Sequence, residues 1–311
     1  MNENFLEKKP AKQIARRVFV NTIATATVGS VLLLLPGSGF SAGFYKPTEN
    51  MTVQQVIDLI LKSVPGAPFP KTVDTIKAGD ASQTVTGIVT TMFATVDVIE
   101  KAAALKANFI IAHEPTFYNH LDETNWLEND DAYKYKMALL KKYNITVWRF
   151  HDAIHAHRPD GVMTGVLTAL GWEKNVDPQK QYLINIPATS LQHIIDLSKK
   201  KLGISHLRYI GDKKQLCSRI VMAPGSAGGR MQINAISKEK PDLLICGELD
   251  EWETSEYVRD LRSSGSNTSL LVLGHIVSEE PGLEWLEKWL QPQIPGIPVK
   301  HIPSTDAFSW A

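Results

Sequence analysis

The chain has 311 residues, of which 43% are hydrophobic, and a formal net charge of zero. That length suffices for one large domain or two modest ones, and the missing basic excess argues against an electrostatic nucleic-acid binder. Its two cysteines, Cys217 and Cys246, are far apart in sequence, which argues against a cysteine-based zinc site.

Lys8, Lys9, Lys12, Arg16 and Arg17 make a basic start, followed by an uncharged stretch over 18–35 and small residues up to Ala42. This is the pattern of an export signal over 1–42, and Arg16-Arg17-Val18-Phe19-Val20 resembles a twin-arginine signal. The expected location is periplasmic or otherwise extracytoplasmic. The same uncharged stretch is just long enough for an inner-membrane anchor, in which case this segment, left uncleaved, is the only membrane contact.

Residues 51–64 carry Val53, Val56, Ile57, Ile60 and Leu61 at helical spacing, with Thr52 as the cap. A strand over 84–92, a helix over 95–106 and a strand over 109–112 follow, an order that favours a parallel pair with a right-handed crossover. A helix over 131–143, a strand over 145–150 and a helix over 162–170 closed by Gly171 come next. The middle reads as a second unit. It has strands at 182–186, 207–210, 219–222 and 241–247, a helix over 191–202 capped by Ser190, a loop over 225–229 and a helix over 255–263. A strand at 270–273 is expected to return to the first unit, followed by a helix over 281–290 and a strand near 299–302. The fold class is therefore α/β, with two α/β lobes. The first comprises 43–175 and 265–311, and the second, 176–264, is inserted into it. The two cysteines adjoin apolar runs and read as buried free thiols, a disulfide being the alternative.

Three clusters of polar residues each follow an apolar strand. Phe109-Ile110-Ile111-Ala112 runs into His113 and Glu114, and Pro115 then stops the strand. The strand over 145–150 runs into His151, Asp152, His155 and His157, three of the nine histidines in the chain. Leu270-Leu271-Val272-Leu273 leads through Gly274 to His275, with Glu279 four residues on, a spacing that puts both on one helix face. Alone, each pair also fits an ordinary surface ion pair. Jointly they offer imidazole and carboxylate ligands at three strand ends, which points to a metal site suited to zinc, iron, nickel or manganese.

These segments carry a family resemblance. FIIAHEPTF resembles the His-His-Pro segment of the Nif-three-like dinuclear-metal family, also called GTP cyclohydrolase I type 2. GHIVSEEPG, over 274–282, is similar to that family's Gly-His-x-x-(Ser/Thr)-Glu segment. FHDAIHAHRPDGVMTGVLTALG resembles its middle segment, and Leu244-Ile245-Cys246-Gly247-Glu248 its Thr-Gly-Glu turn. The resemblance covers residues 51–290. It implies two divalent metal ions in a cleft between the lobes, held by His113, Glu114, His155, His275 and Glu279, and ring-shaped hexamers. Two positions depart from the pattern. Glu114 stands where the family has a second His, and His155 where it has a ligand Asp, so three imidazoles and two carboxylates remain. The activity expected is that of a metal-dependent hydrolase on a small-molecule substrate. In that reading Glu279 would bridge the ions, His151 would support a ligand or carry protons, and Asp152 would orient an imidazole. A non-catalytic metal-binding protein or oligomeric scaffold is the alternative.

Overall fold

The computed structural model describes residues 50–310. The export signal or anchor expected over 1–42 lies outside them. No helix among the described residues is long and apolar enough to cross a membrane.

In chain order come α1 (Val53–Lys62), β1 (Ile76–Ala78), β2 (Ile88–Thr91), α2 (Val96–Ala104), β3 (Phe109–Ala112), α3 (Asp131–Tyr143), β4 (Thr146–Arg149), α4 (Asp152–Ala156) and α5 (Gly161–Leu170). Then follow β5 (Val176–Asp177), β6 (Lys180–Ser190), α6 (Leu191–Leu202), β7 (Arg208–Ile210), β8 (Leu216–Ala223), α7 (Gly229–Glu239) and β9 (Leu243–Cys246). The last elements are α8 (Glu256–Ser263), β10 (Ser269–Val272), α9 (His275–Leu290) and β11 (Val299–His301). Local chemistry explains several boundaries. Thr52 and Gln55 form a reciprocal capping box on α1, and the Ser190 hydroxyl accepts from His193 N at the start of α6. Gly171 and Gly203 end α5 and α6 in the left-handed region, where a Cβ is costly.

The fold is mixed α/β with two sheets. The first has the order β1-β4-β3-β2-β11, the second β5-β6-β8-β9-β10-β7. In the first, β11, β2, β3 and β4 are parallel neighbours, and β2-α2-β3 is the expected crossover unit. β3 is buried on both faces, as a central parallel strand must be. Phe109 and Ile111 pack with α1 and α9, while Ile110 and Ala112 pack with α2 and α3. The second sheet repeats this layering. Ile220, Leu243, Ile245 and Leu271 meet α5 and α6 on one face, and Val221, Leu244, Leu270 and Val272 meet α7 and α8 on the other.

The structure corrects the sequence reading in three places. β10 belongs to the second sheet, parallel to β9 and antiparallel to β7, and does not return to the first. Its four residues are all buried, and the apolar run Leu270-Leu271-Val272 carries no mark of which sheet it joins. The last helix begins at His275, not near Pro281, and keeps that proline inside it. The stretch 230–240, to which the sequence reading gave no element, holds the helix α7. The two thiols are buried and free. Strand register pairs Cys246 with Ala223, six residues along β8 from Cys217, so the thiols stand about 20 Å apart at ~3.3 Å per residue, out of disulfide range.

Helices α5 and α9 cross with almost no side chain between them. A Cβ on Gly165 would lie 2.3 Å from the Pro281 carbonyl oxygen, and one on Gly282 would lie 2.7 Å from Val162 Cα. Gly165→Ala is therefore expected to cost about 1–3 kcal/mol by overpacking. A thermal melt should show Tm lowered by roughly 2–12 °C. An unchanged Tm would mean that the helices part freely and that this close approach is not required.

Candidate metal centre

The site is assembled from strand ends. β3 delivers His113 and Glu114, and β4 delivers Arg149 and then His151 at the head of α4. From the second sheet, the chain leaves β8, β9 and β10 through Gly225, Gly247 and Gly274. Gly274, at φ +104°, turns directly into α9, so His275 is the first helical residue and Glu279 sits one turn on. Carboxyl ends of parallel strands are where open α/β sheets place their ligands.

These ends bring six side chains together. His275 Nε2 lies 3.1 Å from Glu279 Oε2 and 3.3 Å from Glu114 Oε1. His113 Nε2 lies 3.5 Å from Glu279 Oε2 and 3.9 Å from Glu114 Oε1, and His151 Nε2 lies 3.7 Å from Glu114 Oε1. The rings of His113 and His151 stack at 4.7 Å, and His155 meets them edge-on at 5.2 and 5.3 Å. His113, Glu114 and Glu279 are buried.

The orientation of the imidazoles is the informative part. His113 Nδ1 donates to the Phe150 carbonyl at 3.1 Å, His151 Nδ1 to Asp152 at 3.0 Å and His155 Nδ1 to Asp160 at 3.1 Å. His275 Nδ1 faces the Glu248 carboxylate at 3.4 Å. An oxygen that only accepts requires the proton on Nδ1, which leaves the Nε2 lone pair of a neutral ring free. The rings of His113, His151 and His155 are thus tied at the back, the arrangement in which metal-ligating histidines are held, while His275 turns its Nε2 to Glu279 and Glu114.

Charge is concentrated in the same place. Burial would raise the Glu279 carboxyl, but the His113 and His275 imidazoles outweigh it and hold the acid far below its usual range. Burial would also raise Glu114, and His275, His113 and His151 together bring it below the ordinary value. For His275 burial works downward, yet Glu114 and Glu279 prevail and push the ring up to about 10. Two buried carboxylates therefore demand positive charge at the middle of the cluster. Arg149, fully buried, supplies some of it from behind. Its Nη2 lies 3.3 Å from Glu114 Oε2, its Nε donates to the His113 carbonyl, and its Nη1 reaches Asp122.

These residues fit a divalent metal. With ligand bonds of about 2.0–2.2 Å, two atoms on one ion stand roughly 3–4 Å apart, the range of the separations above. The His113 Nε2 atom is buried and has no hydrogen-bond partner, an orphaned acceptor that a metal would satisfy. Two groups of ligand atoms lie within 4.8 Å of one another, His113/His151/His155 and His113/Glu114/Glu279.

Gly225 makes room for Glu279. A Cβ there would lie 2.1 Å from Glu279 Oε1, and the residue sits at φ +60°. Gly225→Ala is expected to displace the carboxylate and lower bound metal at least about tenfold, the scale of lost supporting contacts. Gly228→Ala is the control. Gly228 also has positive φ but faces open space, so its cost is about 1–2 kcal/mol of backbone strain with metal content unchanged. Equal metal content in both variants would detach Gly225 from the site.

All five residues expected to ligate meet in this cluster. His151, expected to carry protons, stands among the ligand atoms; Asp152 Oδ1 lies 3.0 Å from its Nδ1, and Asp152 Oδ2 accepts from Thr72 Oγ1. His157 does not join. It packs between Trp285 and Trp289 with its Nδ1 donating to the Pro159 carbonyl. Arg149 and Asp160 were not singled out from sequence, and Glu248 only as the end of the segment that resembles a Thr-Gly-Glu turn. A cleft of about 1170 Å³ opens beside Glu114 and His275, walled by Phe93, Tyr118, Lys136 and Trp310 among others.

Comparison with known proteins identifies the fold and the family. A "GTP cyclohydrolase 1 type 2 homolog" of Clostridium perfringens is 25% identical over 221 residues, covering 67% of this chain and 79% of that protein. A Bacillus cereus protein related to NIF3 superposes with a TM-score of 0.68 at 14% identity, over 84% of this chain and 99% of that one. The Staphylococcus aureus hypothetical protein SA1388 gives 0.67 at 16% identity, over 86% and 100%. The model of the Duf34/NIF3 (NGG1p interacting factor 3) family matches residues 51–307, and the chain belongs to that family.

Proposed function

We propose that the protein binds two divalent metal ions and acts as a metal-dependent hydrolase on a small molecule that enters the cleft beside Glu114 and His275. One observation carries this reading: His113, His151 and His275, each facing an oxygen at Nδ1, bring Nε2 within 3.9 Å of two buried carboxylates, and the His155 ring packs beside them. Bound divalent ions supply Lewis acidity, polarising a carbonyl or phosphoryl group and acidifying water. The protein's own part is to hold them. Glu114 and Glu279 would provide the negative charge, their oxygens facing His275 Nε2 at 3.3 and 3.1 Å. Asp152 and Asp160 keep the lone pairs of His151 and His155 aimed inward. With His151 Nε2 occupied as a ligand, proton transfer falls to exposed groups at the cleft. His120, whose ring is 5.9 Å from His151, is the best placed. The cleft volume suits a small-molecule substrate.

The test is turnover by the metal-loaded protein on a panel of phosphoesters, amides, lactones and cyclic amidines, with GTP included because relatives bear its name. Hydrolysis of any class that is lost on chelation and in Glu279→Gln is the expected result. No turnover of any member at full metal occupancy would defeat the hydrolase reading and leave a metal-binding or scaffold protein.

A further inference from the structure

We propose that the two metal positions are chemically unequal, one built from imidazoles alone and one rich in carboxylate, so that the centre sorts two different ions. The inference rests on the two-ion reading above. His113, His151 and His155 bring their ligand atoms within 4.8 Å of one another, and the acid oxygens nearest them, Glu279 Oε2 at 3.5 Å from His113 and Glu114 Oε1 at 3.7 Å from His151, both lie closer to His275. On the other side, Glu114 and Glu279 share His275, whose Nε2 is 3.3 and 3.1 Å from their oxygens. His113 belongs to both groups but has one free lone pair. Given to the imidazole side, it leaves three donors on each side: three nitrogens against one nitrogen and two oxygens.

The donors differ in kind as well as number. The imidazole position carries no formal charge in its ligands, and two of its rings are backed by Asp152 and Asp160, which raises their donor strength. Neutral nitrogen donors suit zinc, copper or nickel, whereas carboxylate suits manganese or magnesium. The carboxylate position holds two buried acids, so a hard divalent cation is favoured there. Its Glu114 is pinned at Oε2 by Arg149, leaving Oε1 facing the centre. The asymmetry follows from His155, because an acid at that position would put a carboxylate on each side.

The full chain, stripped with a chelator, would be given Zn2+, Mn2+, or one equivalent of Zn2+ with Mn2+ in large excess, because zinc binds most such donor sets more tightly than manganese. Bound ions would be read by elemental analysis and by Mn2+ paramagnetic resonance. The mixture is expected to load about one Zn2+ and about one Mn2+ per chain. Glu114→Gln should weaken Mn2+ at least about tenfold and spare Zn2+, and His155→Gln should do the reverse. Loading of the two ions in random proportion, or equal weakening of both in either variant, overturns the proposal. The unaltered chain alone decides the matter if a variant does not fold. Binding of no ion at all overturns the two-ion reading itself, while two bound ions without sorting overturn only this inference.

Discussion

Arg149→Met is expected to destabilise the protein by about 3–5 kcal/mol, the cost of breaking a buried ion pair from one side. The guanidinium is fully buried at the end of β4, between Glu114 at 3.3 Å and Asp122 at 3.5 Å. Asp122 keeps Lys77 at 3.2 Å, whereas Glu114 would keep only imidazoles. The measurement is a chemical or thermal melt of metal-free protein, with Tm lowered by roughly 6–20 °C. A loss below about 1 kcal/mol would mean that methionine packing replaces the pair, as happens for some buried pairs. Because Arg149 Nε also holds the His113 carbonyl, the same substitution should loosen both ligands that follow β3.

The second large effect concerns the exchanged pair Glu114 and His155. Glu114→His would place an imidazole against Arg149 and remove the carboxylate that Arg149 holds. His155→Asp would set a carboxylate beside Asp160, which now accepts from the His155 ring at 3.1 Å. Each substitution is expected to cost about 2–4 kcal/mol, the scale for stranding a buried charge or hydrogen-bonded partner. Together they restore the pattern of the family yet should not restore stability, since Arg149 and Asp160 stay where they are. A double-mutant cycle on melts and metal content measures this. Recovery of the unaltered stability and metal content in the double variant would show that the two ligands are interchangeable and that their surroundings do not specify them.

The site was legible in the sequence because its ligands follow apolar strands. Phe109-Ile110-Ile111-Ala112 is so apolar that a polar pair right after it had to stand at a strand end, and His275 and Glu279 sit at a helical interval. The supporting residues left no such mark. An Arg at the end of a strand reads as a solvated charge, and only tertiary packing makes Arg149 a buried counter-ion. Asp160 reads as a helix cap, which it also is, through Met163 N. Some of the fold was hidden for similar reasons. α7 buries Gln232 and Ile236 while Met231 is exposed, and it docks by hydrogen bonds from Gln232 to the Glu248 carbonyl and from Thr254. That leaves almost no apolar periodicity to read. β1 is three residues at a sheet edge, too short for any pattern. Pro281 suggested a helix start because proline favours the first turn, but α9 begins six residues earlier.

The central claim is that these side chains form a metal centre, and elemental analysis tests it most directly. Protein purified without chelator is expected to carry about two divalent ions per chain, and His113→Ala, which removes the ligand common to both groups, about one or fewer. Purified protein that carries no stoichiometric metal and takes up none after dialysis, or a His113→Ala variant with undiminished content, would contradict it.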